Sequence, residues 1–175
     1  MKRLRLSQRV RQFWHALFSI PTPAGVEIAQ KVLTPQQFEL FQTLPRADQA
    51  HALRVLWTLQ HRREDHRDLL VAALLHDVGK ARYTLRLWER VCIVLGDGFF
   101  PERVERWGQG EPRGWRRPFV VAKNHPSWSA EMAAMSGATP LAVSLIWRHQ
   151  DTLSVIPDST EDRLLRALQA ADNDS

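Results

Sequence analysis

Residues 69–75 read Leu-Leu-Val-Ala-Ala-Leu-Leu, the longest unbroken aliphatic run in the chain, and His76-Asp77 follows at once. A helix that is apolar on every side has no face to offer to water, so it must be buried among other elements. The run is also far short of the roughly 20 residues that a membrane span needs. It therefore delivers an imidazole and a carboxylate to the interior, and an ammonium, Lys80, one turn later. Imidazole nitrogen and carboxylate oxygen suit Mn, Fe, Zn, Co or Mg ions to different degrees. A lysine four residues after the histidine either faces the same cavity and neutralises a phosphate oxygen, or interacts with its own helix C-terminus.

The rest of the chain is patterned as helix, with no alternating strand and no internal repeat. Thr34-Pro35 marks a helix start, and Phe38, Leu40, Phe41 and Leu44 give it one apolar face. A longer helix is expected over 47–61, with Ala52, Val55, Leu56 and Leu59 inward. Asp65 is the expected cap of the helix that ends at His76, and 85–95 reads as an apolar helix holding Trp88 and Cys92. Residues 96–118 hold five glycines and three prolines, which predicts loop with one helical turn around 102–107. A helix over 126–136 stopped by Gly137, one from Thr139-Pro140 to His149, and one over 161–171 capped by Thr160 complete the pattern. The expected fold is all-α: a single helical bundle of six to eight helices over residues 34–175, preceded by a basic amphipathic helix and linker over 1–33.

Charge places the excess in one segment. Lys and Arg number 24 against 19 Asp and Glu, a net +5, and Lys2, Arg3, Arg5, Arg9 and Arg11 account for all of it. A neutral body argues against specific nucleic-acid binding, which favours a basic stripe over the folded surface. Residues 1–19, with Leu6, Val10, Phe13, Trp14 and Leu17 on one face, either lie on an anionic membrane surface or pack on the domain or a second subunit. Cys92 is the only cysteine, which excludes an intrachain disulfide and fits a reducing, cytoplasmic setting with a peripheral membrane contact as the variant.

Taken together, these residues resemble the HD-domain superfamily of metal-dependent phosphohydrolases. The family pattern is a His, a His-Asp doublet some tens of residues later, and a distant Asp on a late helix. His51 in Asp48-Gln49-Ala50-His51, the pair His76-Asp77, and Asp172 in Leu168-Gln169-Ala170-Ala171-Asp172 correspond to them. The likeness covers about residues 47–172. Members with two metals add two histidines, and His125-Pro126 (followed by Ala130-Glu131) and His149-Gln150-Asp151 resemble those. The cyclic-dinucleotide phosphodiesterase branch carries a Gly-Tyr-Pro stretch that this chain lacks. The histidine spacing is closer to small HD proteins that hydrolyse nucleotides such as diadenosine tetraphosphate.

The resemblance implies that His51, His76, Asp77 and Asp172 hold one divalent ion. Asp77 would bridge to a second, held by His125 and His149; the alternative for these two is a polar pocket wall that binds phosphate. A hydroxide shared by the ions would attack phosphorus, with Lys80 stabilising the phosphoryl charge. The implied substrate is a phosphorylated small molecule, a nucleotide in the nearest cases. Arg54, one turn after His51, either reaches a substrate anion or makes a surface salt bridge. The rival functions are a non-catalytic nucleotide sensor and a membrane-surface adaptor. Every expected ligand is present, which argues against the non-catalytic sensor, while the membrane-surface role is compatible with catalysis.

Overall fold

The computed structural model describes residues 19–153 and 159–175. The basic helix expected over 1–19 lies, except for Ser19, outside the described residues. Nine α-helices occur among those described: α1 (Pro23–Val32), α2 (Pro35–Gln42), α3 (Arg46–His61), α4 (Arg67–Leu75), α5 (Leu87–Phe99), α6 (Pro101–Trp107), α7 (Arg117–Met135), α8 (Pro140–Arg148) and α9 (Thr160–Asp174). Among the described residues there is no strand, and no helix is long and apolar enough to cross a membrane.

Helix starts follow the capping chemistry of the sequence. Thr34 accepts from the Gln37 N–H while the Gln37 side chain accepts from the Thr34 N–H, a reciprocal box ahead of Pro35. Thr139 accepts from the Ala142 N–H ahead of Pro140. Ser159, not Thr160, caps α9, by accepting from the Asp162 N–H at 3.1 Å. Asp65 does not cap α4; the cap position is His66, without a side-chain bond. Pro23–Val32, within the expected linker, is a helix with its own Thr22 cap, and its Ala29 is fully buried in the core.

Helix α4 is the axis of the bundle. Leu69 and residues 71–75 are buried, and α1, α2, α3, α8 and α9 all pack against it. The inward residues expected on α3, namely Ala52, Val55, Leu56 and Leu59, join the same core. The ladder ends with the His76 N–H, which donates to the Ala72 carbonyl at 2.8 Å. Asp77 takes φ −106° and ψ 0°, and Val78–Tyr83 continues as a 3₁₀ helix lying on α7. This sparsely populated bridge conformation is one that active-site residues often occupy.

Three further expectations fail. Residues 96–118 are mostly helical, because α5 runs on to Phe99 and α6 follows. Gly96 does not break α5; a Cβ there would come 2.6 Å from the Phe119 ring, so the glycine admits α7 rather than ending a helix. Helix α7 opens at Arg117 with Pro118 in its first turn, and Pro126 stands inside it instead of starting it. Helix α5 is also not a core helix: Leu87, Trp88 and Leu95 are exposed and Cys92 is half-buried. None of the six described tryptophans is fully buried, and Trp57, Trp88, Trp115 and Trp147 are exposed.

Gly79 is packed directly against the backbone of α7. Its N–H donates to Ser129 Oγ at 2.8 Å, and a Cβ would lie 2.4 Å from the His125 carbonyl oxygen and 2.7 Å from the Ser129 nitrogen. Both neighbours are backbone atoms that cannot swing aside. Gly79→Ala is expected to cost about 3 kcal/mol in denaturant unfolding, at the upper end for overpacking. Unchanged stability would show that α7 can yield here.

Candidate metal centre

Three buried histidines sit where a helix carbonyl has lost its usual partner. His76 lies at the end of α4, and its Nδ1 donates to the Ala73 carbonyl at 3.0 Å. His149 lies at the end of α8 and donates from Nδ1 to the Ile146 carbonyl at 2.7 Å. His125 is mid-helix, but Pro126 has no N–H, so the Ala122 carbonyl four residues before it lacks a ladder donor. His125 Nδ1 donates to that carbonyl at 2.7 Å.

A carbonyl has no proton to give, so each Nδ1 carries one, and each neutral ring keeps its lone pair on Nε2. The Nε2 atoms converge. His125 Nε2 and His149 Nε2 are 3.3 Å apart, and His125 Nε2 is 3.2 Å from Asp77 Oδ1. The Gln150 amide nitrogen lies 3.4 Å from the same Nε2. His76 Nε2 has no hydrogen-bond partner; it lies 3.5 Å from Asp77 Oδ2 and 3.6 Å from Asp172 Oδ1. Asp172 Oδ1 is in turn 2.8 Å from His51 Nε2. The imidazoles form a row, with ring centres 5.5 Å apart for His51 and His76, 5.1 Å for His76 and His149, and 5.2 Å for His149 and His125.

Two groups of ligand atoms result, His51 with His76 and Asp172, and Asp77 with His125 and His149, each within 4.8 Å. Asp77 joins them, because Oδ1 faces His125 and Oδ2 faces His76. Lone pairs aimed at one another and at carboxylates repel unless a positive charge lies between them. The donor set, mixed imidazole and carboxylate, therefore fits divalent metal.

The electrostatics agree. Burial lowers His149 to about 3, with His76 and His125 adding to it, and burial likewise lowers His125, helped by the Lys80 charge. Both rings are thus neutral, the form that binds metal. His76 differs: burial opposes its charge, but Asp77 and Asp172 outweigh burial and raise it to about 9. A proton stands there where a cation would otherwise sit, and an incoming ion must displace it. Asp77 and Asp172 stay ionised despite burial, Asp77 held well down by Lys80 and His76, Asp172 by His51 and His76.

Lys80 Nζ lies 2.6 Å from Asp77 Oδ2. It also lines a cavity of about 380 Å³, together with His125, Gln150, Arg90, Ile93 and Phe119. Arg54 does not line this cavity. It lies in a separate apolar groove between α1 and α3, beside Ile28 and Trp57. Glu131 is outside the site as well, where it pairs with Arg82 at the surface. Arg148 turns away to Glu161 and Asp162, as its position before His149 suggests.

Two contacts carry no signal in the sequence: the bidentate pair Arg90–Asp48, at 2.8 and 2.7 Å, and the Ser129 bond to Gly79. A carboxylate one turn before His51 was visible, but nothing local marks its partner 42 positions away.

Pro126 has a separable consequence. Pro126→Ala adds an N–H that competes with His125 for the Ala122 carbonyl. Outer-shell partners of metal-bound histidine are worth about 10- to 100-fold in affinity. Metal uptake is expected to weaken by about tenfold or more, with the melting temperature of the metal-free protein maintained. An unchanged metal titration would mean that packing alone orients His125.

Comparison with known families adds one finding. The sequence model described as HD domain matches residues 46–175. No curated protein and no solved structure matches the chain.

Proposed function

The chain belongs to the HD-domain family, and from that premise we propose that it is a metal-dependent phosphohydrolase acting on a nucleotide or a similar phosphoester. The observation that carries the reading is the convergence of His125 Nε2 and His149 Nε2 on each other and of the His76 and His125 Nε2 atoms on the ionised carboxylates Asp77 and Asp172. His51, His76 and Asp172 would hold one divalent ion, His125 and His149 a second, and Asp77 both. Bound ions of this kind acidify water and neutralise phosphoryl oxygens.

The chain's own groups supply the rest. Lys80 keeps Asp77 ionised and has two further N–H donors for a phosphoryl oxygen. The main-chain carbonyls behind His76, His125 and His149 fix the orientation of the rings, so no reorientation is needed when substrate arrives. Ile93, Val104, Phe119 and Val121 give the cavity an apolar wall against which an aromatic group can rest. A nucleotide offers both an anionic end and a flat apolar one, which supports it over a simple sugar phosphate.

The test is metal analysis of purified protein, followed by a panel of nucleotides and phosphodiesters with Mn, Fe, Co and Mg. Metal uptake with metal-dependent hydrolysis of at least one phosphoester is expected. A protein that takes up no metal under any of these conditions would defeat the reading.

A further inference from the structure

Arg90 enters the same cavity from α5, a helix that packs chiefly on α7 and α6. Its Nη1 and Nη2 donate to Asp48 Oδ1 and Oδ2 at 2.8 and 2.7 Å. Asp48 is buried, its side chain 7% exposed, while the Arg90 side chain is 23% exposed, so the clamp faces inward and the free edge outward. Asp48 lies one turn before His51 on α3. The clamp therefore ties Arg90 to the helix that carries a candidate metal ligand.

A guanidinium has five N–H donors, and Asp48 engages one from each Nη, which leaves three. Burial would lower Arg90, but the Asp48 hydrogen bonds lead and raise it, and Asp77 adds to this. Lys80 feels the Asp48 charge in turn, so the two cations share one field. The other cation of the cavity, Lys123, is engaged by Glu105 at its outer edge. We infer that Arg90, clamped by Asp48, is a substrate-binding residue that takes an oxyanion of the substrate's phosphate beside Lys80. The inference rests on the phosphohydrolase reading and gives it a substrate with anionic oxygens beyond those that Lys80 reaches. Asp48 is a positioning residue; it presents the guanidinium fork at a fixed angle, which suits planar recognition of phosphate.

The experiment uses metal-loaded full-length protein with 4-nitrophenyl phosphate as substrate and inorganic phosphate as ligand. Loss of a charge-assisted contact is expected to raise KM and weaken phosphate binding by about tenfold or more in Arg90→Gln. Metal content should stay equal to wild type and kcat should change by less than about threefold, a split that a merely structural role would not produce. Arg90→Lys should recover part of the loss, and Asp48→Asn should shift KM in the same direction by less. If Arg90→Gln fails to fold, Arg90→Lys, which keeps a charge beside Asp48, carries both readouts. Unchanged KM and phosphate binding in the folded Arg90 variants would overturn the inference. A wild type that takes up metal but hydrolyses no phosphoester would defeat the phosphohydrolase reading alone. Phosphate calorimetry would then decide Arg90: a tenfold loss supports the inference, and equal or absent binding overturns it.

Discussion

Asp77→Ala is expected to lower phosphoester hydrolysis by at least about a thousandfold, roughly 4 kcal/mol of transition-state stabilisation, the scale of a lost metal site. Asp77 is the one residue whose two oxygens face both ligand groups, Oδ1 towards His125 and Oδ2 towards His76. Its loss would remove the one anion that the two groups share and leave Lys80 without its closest partner. Lys80 is 28% exposed and can turn its ammonium to the water of the cavity, so the fold should survive. Helix content by circular dichroism should match wild type, and bound metal should fall in parallel with activity. Wild-type turnover in this variant, with a competent substrate in hand, would remove Asp77 from the site.

Metal number is the second large effect. Protein prepared with Mn or Fe should hold two ions per chain, and His125→Ala or His149→Ala should each bring that towards one. The reason is that these two rings, 3.3 Å apart at Nε2, share a group with Asp77 that is separate from His51, His76 and Asp172. Both variants should lose at least about a hundredfold in activity, since an ion that clamps a phosphoryl oxygen is worth several kcal/mol. Melting temperature gives a readout independent of turnover. Metal at about 100 times its dissociation constant stabilises by about 2.7 kcal/mol per site, so chelation should lower wild type more than either variant. One ion at saturation in wild type, with the same content in both variants, would sink the two-metal arrangement.

Much of the site could be read before any fold was known, and the reasons are local. His76 and Asp77 had to be interior because the seven residues before them have no polar face, and the structure has both side chains almost fully buried. His149 follows Leu145 by one turn, Leu145 is fully buried, and His149 shares that face. Arg54 shows the limit of such reasoning. It too lies one turn from a site histidine, yet it opens on the other groove, because a turn's spacing fixes only approximate direction around the helix. Glycine and proline misled the reading for a related reason. Gly96 and Pro126 carry helix-breaking propensities, but Gly96 makes room for Phe119 and Pro126 frees a carbonyl for His125. Propensity records the cost of such residues in an isolated helix, and tertiary contacts override it.

The sequence by itself determined that the chain is helical, that its most apolar helix is central, and that an imidazole and a carboxylate ride on the end of it. Each of these follows from periodicity and hydrophobicity over fewer than about twenty residues, a range in which helix geometry dictates which side chains are neighbours. Only the tertiary structure decided that Asp172 meets His51 across 121 positions, that His125 meets His149, and that Arg90 closes on Asp48. Those meetings depend on how α3, α4, α5, α7, α8 and α9 cross, and crossing angles are set by side-chain ridges packing in three dimensions. They depend also on one contact that admits no side chain at all, Gly79 against the backbone of α7, which holds the end of α4 beside His125.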